Sequence, residues 1–207
     1  MNETLRSATR IAPVSEVVRD YMALFEKLLR SIDLDEIARA ADILRAARES
    51  GAMIFVAGNG GSASTATHLA NDLGKATKTS GMPPMRVVSL SDNVSWLTAL
   101  GNDEGYERVF AGQMENFAKP GDVLIAISTS GNSGNLVRAV EMARERGMTS
   151  IGILGFEGGK LKAMVDAAVY LPSPKGAYGP VETAHCLVVD LIKECLMADR
   201  PAGSAKA

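Results

Sequence analysis

Five short apolar runs, near residues 52–57, 85–90, 122–127, 149–154 and 166–171, alternate with segments of helical periodicity near 62–75, 104–118, 133–147 and 181–197. The runs are nearly continuous and rich in β-branched residues, as expected for parallel strands buried on both faces. Alternation of this kind, with right-handed crossovers, predicts an α/β fold. The expected form is a three-layer α/β/α sandwich around a five-stranded parallel sheet, flavodoxin-like, with extra helices at the N-terminus. Ligands of such sheets bind beyond the carboxyl ends of the strands, near the topological switch point.

Two helices are expected before the first strand. Val14, Val17, Val18, Tyr21, Met22, Leu24, Phe25, Leu28, Leu29 and Ile32 recur at helical spacing and make a wide apolar stripe. A face that wide needs cover, either from a neighbouring subunit or from the chain's own domain. The second helix spans Leu34 to Ser50, with Asp33 as its cap and Glu36 three residues on. The chain thus divides into an N-terminal helical oligomerisation segment (1–50), an α/β domain (51–198) and a tail (199–207).

Composition removes several classes of function. With 207 residues the chain suits one domain with a full core, and 46% hydrophobic against 22% charged residues argues against general disorder. A net charge of −2, with Lys and Arg spread along the chain, gives no electrostatic case for nucleic acid or an anionic membrane. Cys186 and Cys195 form no C-x-x-C pair, which suits a reducing compartment. Met1 to Ala12 has no apolar core of a signal peptide, and no stretch approaches the roughly 18 apolar residues of a membrane span. The expectation is a soluble, cytoplasmic protein.

Two loops carry the chemistry. Gly58-Asn59-Gly60-Gly61-Ser62 follows the run 53–57, and Ser128-Thr129-Ser130-Gly131-Asn132-Ser133 follows 123–127. Each opens onto a helix, so its backbone N–H groups point outward where the helix dipole favours an anion. Two such cradles, with hydroxyls in place of a lysine, predict a small phosphorylated ligand. Neither is a P-loop, and alanine stands at the third glycine of the dinucleotide fingerprint.

On the helix after the first loop, His68 and Asp72 are four residues apart and share a face. Glu182 stands near the start of the last helix, after Pro180, where a carboxylate also suits the dipole. Asp190 is two turns further on, among Leu187, Val188, Val189, Leu191 and Ile192, and so must be paired, bind a metal or face a cavity. His185 leans to the other side of that helix. Asn102-Asp103 reads as the cap of the helix near 104–118, and Asp92-Asn93 as a turn or cap.

At these loops the chain resembles the sugar isomerase (SIS) domain family, and within it the sedoheptulose 7-phosphate (phosphoheptose) isomerases, over roughly residues 15 to 198. The resemblance includes both loops, Thr98 to Tyr106, Gly121 to Ile125 and Gly158-Gly159-Lys160. It implies a homotetramer with active sites between subunits. It also implies phosphate held by the first loop (Gly60, Gly61, Ser62) and by Ser128, Thr129, Ser130 and Ser133, with sugar hydroxyls met by Asn59, Asn102 and Asp103.

Family isomerases hold zinc with a His and a Glu one turn apart, then a Gln and a His eight apart. His68 matches the first; Asp72 stands for the Glu, Glu182 for the Gln and Asp190 for the His. The set His68, Asp72, Glu182 and Asp190 is one nitrogen and three carboxylates, which repel one another unless a cation or a proton joins them. A divalent metal is one solution, with manganese, iron or magnesium suited as well as zinc; one protonated carboxylate is the other.

The expected activity is a phosphosugar aldose–ketose isomerase, converting sedoheptulose 7-phosphate to D-glycero-D-manno-heptose 7-phosphate through an enediol(ate). Asp72 or Glu182 would be the base, and the other or Asp190 would assist. The rival is a non-catalytic SIS module that binds phosphosugar or a protein partner, such as a replication initiator. A third possibility is a subunit supporting an active homologue.

Overall fold

The computed structural model describes residues 12–199. Helix α1 (Val14–Arg30) and helix α2 (Leu34–Ser50) lead into strand β1 (Met53–Gly58). Then follow α3 (Gly61–Lys75), β2 (Arg86–Ser89), α4 (Val94–Asp103), α5 (Ala111–Met114), β3 (Val123–Ser128), α6 (Gly134–Glu145), β4 (Thr149–Leu154), β5 (Ala167–Tyr170) and α7 (Tyr178–Met197). All five strands are parallel, in the order β2-β1-β3-β4-β5. That is the flavodoxin-like order, with its switch point between β1 and β3.

Strand side chains alternate between two cores, as a pleated strand requires. Ile54, Val56, Ile125, Ile127, Ile151 and Ile153 face α2, α3 and α7, while Phe55, Ala57, Leu124 and Ala126 face α5 and α6. Two carboxylates set the strand entries. Buried Asp122 accepts from the N–H of Met53 and of Lys119, each at 2.8 Å, tying the start of β3 to β1. Asp166 does the same for β4, accepting from the N–H and the hydroxyl of Ser150 at 2.7 Å. Hydrogen bonds of this charge-assisted kind contribute roughly 1.5–3 kcal/mol each.

Asp33 caps α2, accepting from the N–H of Asp35 and Glu36, as its spacing predicts. The chain's own domain covers only part of the apolar stripe of α1. Leu28 is fully buried, with Leu24 and Phe25 packed beside it, whereas Val14, Val17, Val18 and Met22 are exposed in the single chain. Residues 1–11 of the N-terminal segment and 200–207 of the expected tail lie outside the described residues. Asp199, assigned above to the tail, is held by Arg45 and Arg48 at 3.1–3.3 Å.

One helix differs from expectation. The helix expected near 104–118 does not form as a unit. Asn93 instead caps α4, accepting from the N–H of Trp96 at 3.1 Å, and the chain stops being helical after Asp103. Gly105, at φ +92°, breaks it; a single 3-10 turn (Tyr106–Arg108) and the one-turn α5 follow. Asn102 and Asp103 therefore end a helix rather than cap one, with Asn102 donating to Asp103 at 2.7 Å.

His185 sits wholly inside the α7 core, and neither ring nitrogen has a partner of normal hydrogen-bond geometry. Burial pushes its pKa down to about 4, against a weaker pull from the Leu154 backbone. In the unfolded chain the imidazole takes up its proton near pH 6.5, so stability falls as pH drops from 6.5 toward 4. Between pH 7 and pH 5 this costs on the order of 2 kcal/mol. Unfolding free energies from denaturant titration at the two pH values should show the native chain losing that amount relative to His185→Leu in acid. A constant difference would mean that the buried ring is not held neutral.

Candidate active site

Because β1 and β3 are neighbours, their carboxyl ends bring the two loops side by side. They wall a cavity of about 160 Å³ lined by Asn59, Ser62, Ile127, Ser128, Thr129, Ser130, Ser133, Tyr178 and Glu182. No lysine or arginine is among these residues. The N-termini of α3 and α6 open here with Gly60 and Ser133 at the cap positions, and neither helix receives a side-chain cap. That leaves first-turn N–H groups and hydroxyls as the donors, which is the chemistry of an anion site.

Thr129 is the most telling of them. It is 5% exposed, and its Oγ1 has no hydrogen-bond partner. A buried hydroxyl left unpaired costs roughly 1–3 kcal/mol, so this one is poised for a polar ligand atom. The loop that carries it is braced from behind. Leu161 N–H donates to the Gly131 carbonyl at 3.0 Å, and Lys160 N–H to the Asn132 side chain at 3.0 Å. The backbones approach so closely that a Cβ on Gly131 would strike the Gly158 carbonyl. This explains why glycines stand at 131, 158 and 159.

Asn59 is fixed rather than free. Its amide exchanges two hydrogen bonds with buried Asn135, at 2.9 and 2.8 Å, and accepts a third from the Tyr106 hydroxyl at 3.0 Å. Asn102 and Asp103 do not line the cavity in this chain; they are exposed at the end of α4. Tyr178, which sequence reasoning missed, forms part of the wall. Its ring packs edge-on against Phe156, with centroids 5.0 Å apart. Phe156 is the only non-glycine with positive φ among the described residues, at +46°. Its backbone is held there by Ser173 Oγ at 2.9 Å and by the Tyr170 hydroxyl at 2.8 Å.

A larger cavity of about 430 Å³ adjoins the first, lined by Tyr21, Gly61, Ser64, Thr65, His68, Gly179, Glu182, Thr183 and Cys186. Glu182 borders both. Its carboxylate lies over Gly61, in the space a Cβ there would fill, and so at the positive end of the α3 dipole. Helices α3 and α7 then run side by side in the same direction. Thr65 meets Cys186 at 3.3 Å, and further along His68 Nε2 lies 3.2 Å from Asp72 Oδ2.

His68, Asp72 and Asp190 each bring one ligand atom within 4.8 Å of the others, a group able to hold a cation. Glu182 is not part of it. Lys193, also missed in the sequence, reaches into the group: its ammonium is 3.1 Å from Asp190, 3.0 Å from Glu194 and 3.9 Å from Asp72. Hydrogen bonds to Glu194 and Asp190 push its pKa above the ordinary lysine value. Asp190 is not enclosed by its apolar neighbours, as its place in the sequence suggests, but is 43% exposed and paired with Lys193.

The SIS domain model matches residues 19–155, well over half of the chain. The chain belongs to the SIS domain family. A phosphoheptose isomerase of Trichlorobacter lovleyi is 38% identical over 186 residues, covering 88% of this chain and 93% of that one. The solved phosphoheptose isomerase of Neisseria gonorrhoeae superposes with a TM-score of 0.77 at 32% identity, covering 88% and 96% of the two chains. The Francisella tularensis enzyme gives 0.82 at 27%, covering 91% and 100%. The expected SIS fold is therefore present. No helix among the described residues is long and apolar enough to cross a membrane.

Thr129→Val keeps shape and removes the unpaired hydroxyl. Binding of inorganic phosphate, followed by ³¹P NMR titration, should weaken about tenfold, the size of one hydrogen bond to a charged group, with the melting temperature held or raised. Unchanged affinity would take Thr129 out of the anion site.

Proposed function

We infer that the chain is a phosphosugar aldose–ketose isomerase of the sedoheptulose 7-phosphate type. Relatives of nearly equal length named phosphoheptose isomerase support the reaction class. The observation that carries the mechanism is Glu182, the one carboxylate that borders both the hydroxyl-lined cavity and the larger one beside it. Ser62, Ser128, Thr129, Ser130 and Ser133, with the N-termini of α3 and α6, would take the phosphate. The carbon chain then extends past Glu182 into the 430 Å³ cavity, toward His68.

In this reading Glu182 removes the C1 proton next to the C2 carbonyl and returns a proton to C2. Between those steps an enediol(ate) forms, and a proton must move between the two oxygens. His68 suits that second task. If Asp72 accepts from Nε2–H, the ring is held in one tautomer with Nδ1 left as the acceptor. Asp72 thus acts through His68, and Asp190, paired with Lys193, acts on Asp72. The roles of Asp72 and Asp190 are those of positioning residues, a narrower part than the sequence alone suggests.

A divalent metal, zinc by family resemblance, is the second reading of His68, Asp72 and Asp190, favoured by three converging ligand atoms. The residues present fit it poorly. The fourth expected donor, Glu182, is outside the group, and the Lys193 ammonium already stands against two of the three donors. No step here is routed through a metal. A homotetramer is part of the same proposal, supported by the exposed Val14, Val17, Val18 and Met22 of α1. Light scattering at micromolar concentration should give four chains; a monomer would contradict it.

Pure protein incubated with sedoheptulose 7-phosphate should form aldoheptose 7-phosphate, read by NMR. Glu182→Gln should lower kcat by about 10²–10⁴ while the sugar phosphate still binds. Tight binding by the native chain without turnover would place it among phosphosugar-binding SIS modules instead.

A further inference from the structure

We propose that Lys193 is the resident cation of the His68–Asp72–Asp190 group, tethered to the chain, and that it keeps a divalent metal out. The proposal deepens the isomerase reading at the same site and rests on it for the role of Asp72, though not for the metal exclusion.

The placement comes from helix register. On the parallel α3–α7 seam, Gly61 lies against Glu182 and Thr65 against Cys186, and the same offset of 121 residues sets Asp72 opposite Lys193. Positions 61, 65 and 72 share a face of α3, and 182, 186 and 193 share a face of α7, each set spaced by four and seven. Lys193 is thus a seam position. Its side chain is 18% exposed, and its ammonium lies among three carboxylates, 3.0 Å from Glu194 and 3.1 Å from Asp190 on its own helix and 3.9 Å from Asp72 across the seam.

Charge makes the same point. Asp72 and Asp190 approach within a few ångströms of each other and need a positive partner or a proton. An ammonium supplies the charge and three hydrogen-bond donors, but it has no lone pair and cannot join a metal's ligand shell. A divalent ion at the group would have to displace it, and would then find only His68, Asp72 and Asp190 as ligands. Glu182 is two helical turns from Asp190 along α7, roughly 12 Å, and it lies over Gly61. Lys193 therefore supplies positive charge beside Asp190 and Asp72 with no exchangeable ion.

The test reads metal directly. Protein purified without chelator is analysed for metal by mass spectrometry, then titrated with Zn²⁺ and Mn²⁺ by calorimetry, as the native chain, Lys193→Met and Lys193→Arg. The native chain and Lys193→Arg should carry far less than one equivalent and bind weakly. Lys193→Met, which keeps the stem and loses the charge, should bind about tenfold tighter or more, and Asp190→Asn in that background should abolish the gain. One tightly held equivalent in the native chain, or equal affinity in all three proteins, would overturn the proposal. Should Lys193→Met fail to fold, native and Lys193→Arg content still decide. None of these readouts needs turnover. A metal-loaded active enzyme defeats this inference alone, and a metal-free inactive chain defeats the isomerase reading alone.

Discussion

The rest of the site hangs on the seam between helices α3 and α7, which begins where the Glu182 side chain meets Gly61. The carboxylate of Glu182 fills the space where a Cβ would stand. This brings an acid to the positive end of a helix dipole and to the boundary between two cavities at once. From that point the two helices stay in register, through Thr65 and Cys186 down to Asp72 and Lys193. The hydroxyl-lined cavity at the β1 and β3 loops and the titratable residues along the seam are therefore joined by one packed helix pair.

Much of this was legible in the residues. Buried parallel strands need continuous apolar runs, so all five appear as such; the glycine and hydroxyl loops are visible because only such residues can end a strand and open a helix around an anion. The caps at Asp33 and Asn93 follow from short polar side chains placed before apolar periodicity. The stretch after Ser89 was harder. Its true helix starts at Asn93, and Gly105 cuts off the one expected downstream, because a backbone break at positive φ outweighs the apolar spacing of 104–118.

The site residues that escaped sequence reasoning depend on contacts between distant segments. Lys193 looks like a solvated lysine three residues after Asp190 until α3 is known to be its neighbour. Asn135 gains its meaning from Asn59, and Tyr178 from a Phe156 backbone that no propensity would place at φ +46°. The grouping of four candidate ligands was legible only in part. His68, Asp72 and Asp190 meet, but Glu182 stands apart from them at the boundary of the two cavities. Two carboxylates on one helix, eight residues apart, point well apart and lie two turns from each other.

In the proposed function the hydroxyl loops take the anion and Glu182 with His68 moves the protons. The most direct measurement of whether that proton transfer takes place is ¹H NMR of sedoheptulose 7-phosphate with catalytic amounts of the protein in D₂O. Carboxylate-driven enolisation predicts loss of C1 proton intensity from the ketose and an aldose product carrying deuterium at C2. Bound ketose with undiminished C1 protons and no aldose would contradict it.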